Sequence, residues 1–476
     1  MKRMPKIFNR VGAVKLKNMK GLGLKLSKYV FDSVYTDDNK SFFLMFSGRT
    51  AKNVRLSRST YDLIHEGRYD ELDSKTIDVL TSTKILVPEI EDEFKEVNKE
   101  NLSLIEEQKK YRRENLYLSV QPSAYCQLAC DYCGQEHCRK NINSENIDMV
   151  VDRIVRKMDA CQYKSIEIGW FGGEPLYAWN EMRTINQRIK DQASARGIKY
   201  LSHITTNGYA LTPAKYQELK DEFNCVRIEI TLDGTKEFHD VHRYTVNHKG
   251  SFDRIYGNLI NIVKSSFYDK EKCRINVRCN VDERNLEGVI PLLEMFNDEH
   301  LQDKIFFYST CVVSWAHNGA GVEKAWKKMG KKTTEYLVYM IEHNFEAEIL
   351  PNRTAPYMCI GTIPESEMYD AYGNIFDCSE TAYSSVYANS QFDLGNLKDN
   401  PDLTIKRSVL NNVPQMLVEG KVERCRECKF YPLCGGLCPL ALSEDQPRCP
   451  SFVYNIEDRM LIDMAYRTRK KHNVLS

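Results

Sequence analysis

From Asn115 onward, short apolar runs alternate with longer stretches in which apolar residues recur every three or four positions. The runs Leu116–Gln121, Ser165–Gly169, Tyr200–Thr205, Val226–Leu232, Cys273–Asn280 and Lys304–Thr310 have the length and residue types of buried strands. Amphipathic helices are predicted between them near 144–160, 177–196, 212–222, 252–265 and 286–298, with another after Gly321. Six strand-then-helix repeats predict a parallel sheet, because parallel neighbours need a crossover of that length. The expected closure is a partial (β/α)6 TIM-like barrel, with an open doubly wound sheet as the alternative.

The pattern differs on either side of this region. Residues 34–90 hold two strands, Ser41–Phe46 and Asn53–Leu56, across the turn SGRTAKN. Helical stretches near Thr60–Glu66 and Ser74–Leu80 follow, then a strand at Thr83–Val87. This content predicts a small winged-helix-like module. Residues 91–114 are densely charged and read as an exposed helical linker to a barrel over 115–345. After about residue 350 the helical rhythm fails, and 346–455 is rich in Cys, Gly, Pro and Asn, which predicts a domain stapled by metal. A C-terminal helix and tail occupy 456–476.

Composition narrows the class. Hydrophobic residues at 42% and charged residues at 28% exclude a disordered or fibrous chain. Lys and Arg at 67 against Asp and Glu at 66 leave no overall field for nucleic acid, although residues 1–33 are basic and could dock on an acidic surface. No apolar run approaches a membrane span, and the basic start lacks the apolar core of a signal peptide. A cytoplasmic monomer is therefore expected, with its 16 cysteines as thiols or ligands, not disulfides.

Three of those cysteines, Cys126, Cys130 and Cys133, stand in QPSAYCQLACDYCGQ just past the first strand's C-terminal end. Parallel barrels build their active sites on that face. The C-x3-C-x2-C spacing suits a loop around a [4Fe–4S] cluster with one iron left open. A zinc knuckle completed by His137 or Cys138 is the alternative. Tyr132 precedes the third cysteine, where an aromatic could shield the cluster or pack on a ligand ring.

The next three strand ends carry polar loops: Gly172-Gly173-Glu174-Pro175, then Thr205-Thr206-Asn207-Gly208, then Thr231-Leu232-Asp233-Gly234. Glycines there allow close backbone approach to a ligand, and Glu174 could bind an ammonium group. Arg243, in FHDVHRY, could meet a carboxylate bidentately. Together these motifs resemble the radical S-adenosylmethionine (SAM) superfamily over about 115–320. The resemblance implies that SAM chelates the open iron and that Gly172, Gly173 and Glu174, with Pro175, hold its methionyl ammonium. Thr206, Asn207, Thr231 and Arg243 would lie near its carboxylate or ribose, and Tyr132 near the cluster. Reductive cleavage would then release a 5′-deoxyadenosyl radical that abstracts hydrogen from substrate.

Seven later cysteines read Cys359-x13-Gly373-x4-Cys378, a gap, then Cys425-x2-Cys428-x5-Cys434-x3-Cys438-x10-Cys449. Paired C-x2-C elements also suit zinc, but seven ligands fill one four-ligand site and leave three. The spacing is similar to the SPASM extension of radical SAM enzymes, which implies two auxiliary [4Fe–4S] clusters and three in all. Cys425, Cys428, Cys434 and Cys449 would hold one, and Cys359, Cys378 and Cys438 the other. The second would keep an open iron for a substrate thiolate or borrow Cys311. Cys138, facing the same side, is a lesser candidate, and Cys225, Cys273 and Cys279 read as packing residues.

The 34–90 module resembles the peptide-recognition element fused to many maturases of ribosomally made peptides. The expected function is thus peptide maturation by thioether or carbon–carbon cross-linking, with the leader bound by strand addition and a flavodoxin or ferredoxin as reductant. The alternative is formylglycine formation by an anaerobic sulfatase-maturing type of enzyme. Those enzymes place an Asp directly after the second SPASM cysteine, whereas Ser379 follows Cys378 here.

Overall fold

Burial alternates residue by residue along six runs, which form the parallel strands β1 (Asn115–Val120), β2 (Ser165–Trp170), β3 (Lys199–Thr206), β4 (Cys225–Thr231), β5 (Arg274–Val281) and β6 (Ile305–Cys311). The computed structural model describes residues 23–37, 40–313, 315, 322–353, 359–400, 402–403, 405–446 and 448–473. The boundaries of these six strands lie within one residue of the expected ones, whereas the strand expected at Thr83–Val87 is Leu86–Pro88, because 83–85 form the turn that ends the preceding helix. The intervening helices are α1 (Ser144–Ala160), α2 (Trp179–Ala195), α3 (Pro213–Asp221), α4 (Phe252–Val263), α5 (Val289–Asp298) and α6 (Val322–Glu342). Their starts follow local chemistry: the Asn143 side chain caps α1 and Thr212 caps α3 just ahead of a proline.

The six strands lie side by side in chain order, β6-β5-β4-β3-β2-β1. Right-handed crossovers that always step in one direction put every helix on the same face. This order is that of a partial barrel and not of a doubly wound sheet, whose strand order reverses. Outward residues such as Leu118, Ile168, Ile204, Ile230, Val277 and Phe307 share one core with helix residues including Val150, Ile185, Leu259 and Phe296.

A seventh parallel strand that the sequence pattern does not reveal, Met368–Tyr369, pairs with β1 on its other side. It turns through Gly373, at φ +82°, into Asn374–Phe376 and then pairs with Asp393–Asn396. Two residues cannot show a period; what fixes this strand is charge. Buried Glu367 takes a bidentate pair of hydrogen bonds from Arg153 at 2.8 Å each, with Lys157 Nζ at 2.9 Å and the Tyr369 hydroxyl at 2.8 Å. Arg153 and Lys157 both stand on α1, so the pair locks this edge onto the helical layer.

The chain folds as two units. The sheet belongs to one, made of Gln108–Ala347 and the described residues of 358–412. The other comprises the described residues of 2–107, 348–357 and 413–476. In it, Val30–Asp37, Lys40–Ser47 and Lys52–Leu56 form an antiparallel sheet, with helices Arg58–His65 and Ser74–Ser82 beyond. The first strand starts four residues ahead of the expected module, in what reads as a basic tail; most of that tail, 1–22, falls outside the described residues. Met45 packs with Ile64, Leu80 and Leu86 on one face, while Leu44 and Phe46 pack with Leu433, Ile456 and Met460 on the other. The module is therefore not free-standing: C-terminal residues cover its second face. Nor is 93–114 exposed throughout: its first half is buried on one face, while 106–111 are exposed as expected. It is helical, and Val97 is fully buried with Tyr29, Leu417 and Tyr431. No described helix is long and apolar enough to cross a membrane.

The Glu367 cluster yields a direct expectation. Glu367→Gln leaves two buried cations without a counter-charge and should cost about 3–5 kcal/mol of stability. Chemical denaturation of the anaerobic protein measures this; a loss below about 1 kcal/mol would show that the pair anchors nothing.

Candidate active site

The loop that leaves β1 is closed at its base. Ala124 N–H donates to the Lys140 carbonyl at 2.9 Å and Ile142 N–H to the Pro122 carbonyl at 2.8 Å, so 122–142 returns on itself with the three cysteines at its tip. The loop leaving β2 zips onto it: Gly173 N–H reaches the Ser123 carbonyl at 3.1 Å and Glu174 N–H the Tyr125 carbonyl at 2.8 Å. A Cβ on Gly173 would stand 2.7 Å from the Tyr125 oxygen, and Gly172 holds φ +121°. These glycines thus allow two loops to touch.

Glu174 is fully buried. Its carboxylate accepts from Leu176 N–H (2.9 Å), Thr206 Oγ1 (2.7 Å) and Asn207 N–H (2.8 Å). Burial pushes its pKa up, and those three donors work against the shift. The side chain therefore ties the ends of β2 and β3 together, and Pro175 begins the buried turn beside it. Asn207 passes the connection on, its amide donating to Cys126 Sγ at 3.4 Å while its oxygen accepts from Gln127 Nε2 at 3.1 Å.

Cys126, Cys130 and Cys133 sense one another electrostatically, and burial raises all three pKa values, Cys130 to about 12. Left as free thiols they would stay protonated. Two features favour the thiolates instead: backbone N–H groups of Leu128 and Gln135 aimed at Cys126 and Cys133, and the buried Arg243 guanidinium, which lowers Cys130 and Cys133. Arg243 also keeps a buried Nε with no hydrogen-bond partner. Three thiols in such a field, with an unspent guanidinium N–H beside them, fit a cluster with an anionic ligand. Among the described residues, no three Cys, His, Asp or Glu side chains converge on one ion-sized point. His137, a fourth ligand in the zinc alternative, lies 3.7 Å from Cys133 Sγ.

Tyr132 works through its hydroxyl more than its ring. It donates to Asp233 Oδ2 at 2.5 Å and accepts from Arg243 Nη1 at 2.6 Å and Asn280 Nδ2 at 3.1 Å. Asp233, fully buried beyond β4, also accepts from Asn280 N–H on β5 at 2.7 Å. Behind it, Asp233 N–H donates to His239 Nδ1 at 3.1 Å, which leaves His239 Nε2–H for Ser251 Oγ at 2.9 Å. Burial drives the His239 pKa well down, so the ring is neutral. In the sequence Asp233 stands out only as part of a polar strand-end loop, and no spacing marks Asn280 or His239. Thr231 is buried at the end of β4 and pairs in register with Arg278.

The remaining cysteines sort by position. Cys311 sits on the outward, helix-facing row of β6, buried with Sγ 2.8 Å from Met329 Sδ. It does not face the site and cannot lend a ligand there, because strand alternation turns it to the core. Cys279 shares that outward parity, and Cys225 and Cys273 are fully packed, as expected of apolar fillers. Cys138 is exposed, with Tyr372 Oη at 2.6 Å. In the sheet unit, Cys359 caps the turn Ile360–Thr362, and Gly361 lets that turn approach the Asp377 carbonyl, adjacent to Cys378. Arg407 donates to the Ile360, Ile363 and Ser366 carbonyls and faces Asp377, so one guanidinium organises both cysteine segments. In the other unit, Cys425, Cys428, Cys434 and Cys449 lie in one another's fields, with Cys434 raised to about 12 chiefly by burial. Cys438 begins the helix Pro439–Ser443 in that same unit.

Residues 120–292 match the family model of the Radical SAM superfamily. The chain is 20% identical to the cysteine-type anaerobic sulfatase-maturating enzyme of Clostridium perfringens over 353 residues, covering 68% of this chain and 88% of that one. It is 22% identical to the serine-type enzyme of Bacteroides thetaiotaomicron, covering 68% and 82%. The solved structure of native anSMEcpe with bound AdoMet and the Kp18Cys peptide superposes with a TM-score of 0.53 at 17% identity, over 73% of this chain and 99% of that one. The domain is thus a radical SAM domain, which implies a [4Fe–4S] cluster and SAM.

If the Tyr132 hydroxyl holds the cysteine loop, Tyr132→Phe strands a buried carboxylate and a buried guanidinium. It should cost about 1–3 kcal/mol and slow SAM cleavage in the reconstituted enzyme. Thermal unfolding and 5′-deoxyadenosine release read the two effects; an unchanged value of both would contradict the role.

Proposed function

We propose that this radical SAM enzyme cleaves SAM reductively and modifies a ribosomally synthesised precursor peptide, by a thioether or carbon–carbon cross-link. Cys126, Cys130 and Cys133 would hold a [4Fe–4S] cluster that, with SAM on its open iron, supplies a carbon-centred radical. The chain's own residues do the rest. Asn207 and two backbone N–H groups spread the thiolate charge. Arg243, the buried cation behind the loop, is suited to the SAM carboxylate through its unspent Nε–H. Glu174 and the two glycines keep the loop ends in place, with Thr206 bonded to Glu174, and Thr231 would lie near the SAM ribose.

The observation that carries the peptide reading is the antiparallel sheet of Val30–Asp37, Lys40–Ser47 and Lys52–Leu56. Its first strand is an edge, with Val34 and Tyr35 at 49% and 43% exposure. A leader peptide could add there as a further strand, gaining main-chain hydrogen bonds and two apolar contacts. The seven later cysteines are assigned by spacing to two auxiliary clusters, Cys425, Cys428, Cys434 and Cys449 to one and Cys359, Cys378 and Cys438 to the other. An open iron on the second would take a substrate thiolate. The reductant is a flavodoxin or ferredoxin, and the enzyme works in the cytoplasm as a monomer.

The relatives' names support a second reading, formylglycine formation in a sulfatase. Ser379 stands where those enzymes carry Asp, but the half-buried Glu380 lies within the electrostatic field of Cys133. Coexpression separates the readings. With a short peptide whose core is rich in Cys or aromatic residues, peptide maturation predicts a mass lower by two hydrogens per cross-link. With a neighbouring sulfatase, the second predicts a hydrazide-reactive aldehyde. Anaerobic protein should hold about twelve irons; stoichiometric zinc in their place would overturn both.

A further inference from the structure

The inner face of the sheet is polar where barrel interiors are ordinarily packed with branched apolar side chains. Strand alternation and register place Glu167, His203, Arg227, Glu229, Arg278 and Tyr308 on that face, each only partly buried. The anions are engaged: Glu167 meets His203 Nδ1 at 2.7 Å, and Glu229 accepts from the Tyr308 hydroxyl at 2.7 Å. The cations are less so. Arg227 has no ion-pair partner within 4.0 Å among the described residues. Among the described residues the Arg278 side chain makes one hydrogen bond, Nε to Asn280 Oδ1 at 2.8 Å, and its Nη1 stays 3.8 Å from Glu229. Its side chain is 37% exposed. Glu380 also acts on Arg278 electrostatically, so a carboxylate is compatible with this position.

Arg278 stands two residues before Asn280 on β5, one pleat repeat or about 7 Å below the residue that touches Tyr132. A group held by its outer fork would lie beside the radical site without belonging to the loop. We propose that Arg278, flanked by Tyr308, is a specificity residue that receives a carboxylate of the peptide substrate, so that the enzyme selects an acidic residue near the carbon it attacks. This rests on the peptide reading above. The planar fork supplies two parallel charge-assisted hydrogen bonds, which an amide in the peptide cannot match.

The test uses the full-length, cluster-loaded enzyme with SAM and a random-sequence peptide pool displayed through its C-terminus, so that only side-chain carboxylates are available. Wild type should enrich Asp or Glu at one position, and Arg278→Gln should lose that enrichment by about tenfold or more. Arg278→Lys, which keeps the charge and guards against misfolding, should retain part of it. A second pool with free C-termini separates a side chain from a terminal carboxylate: enrichment confined to that pool assigns the terminal group. No acid enrichment in either pool, or enrichment that survives Arg278→Gln, overturns the proposal. So does a loss of SAM affinity in Arg278→Gln with acid preference intact, which would place Arg278 on the cofactor. Failure of the coexpression experiment with acid selection intact would instead remove the cross-linking reading and leave this site standing.

Discussion

A buried phenol between a carboxylate and a guanidinium holds the three-cysteine loop in place. Tyr132 comes from the cysteine loop, Asp233 from the end of β4, Arg243 from the C-terminal end of the short helix Lys236–His242, and Asn280 from β5. Each of these groups would be costly to bury alone. Together they satisfy one another only if the loop folds down over the strand ends. On the other flank, Glu174 accepts donors from the β2 and β3 ends, and Asn207 carries that contact to Cys126. The loop is thus fixed from both sides by polar groups that have no other place to go. The thiols inherit their position from this arrangement.

The second constraint is the alternation of strands in a sheet covered on one face. Helices on the outward side demand Leu, Ile, Val and Phe at alternate positions, and small thiols such as Cys279 and Cys311 are admitted among them. The inward positions carry charge, and the crossover helices pack on the other face. One parity rule therefore separates packing cysteines from those of the strand-end loop, and the same rule sets Arg278 and Glu229 facing the interior.

Much of this was legible from residue pattern. The six strands were found to within a residue because their runs are flanked by long amphipathic helices and tight polar loops. The three-cysteine loop and the Gly-Gly-Glu-Pro turn were visible as motifs at strand ends. The rest depends on contacts that spacing does not encode. Met368–Tyr369 is too short to show a period and is held by Arg153 and Glu367, which lie far apart in the chain. Val30–Asp37 hides its strand character because its apolar residues come in adjacent pairs instead of alternating. The burial of Leu44 and Phe46 against Leu433, Ile456 and Met460 joins segments from opposite ends of the sequence, which a linear reading assigns to separate domains. Tyr132 was read for its ring, and only the fold shows that its hydroxyl matters.

On the proposed function, Cys126, Cys130 and Cys133 form the radical-generating site and the later cysteines do not. Anaerobic SAM cleavage by a variant with all three replaced by alanine tests it most directly. The account predicts no 5′-deoxyadenosine under reducing conditions, with about two-thirds of the iron retained. Continued cleavage at the wild-type rate would contradict it.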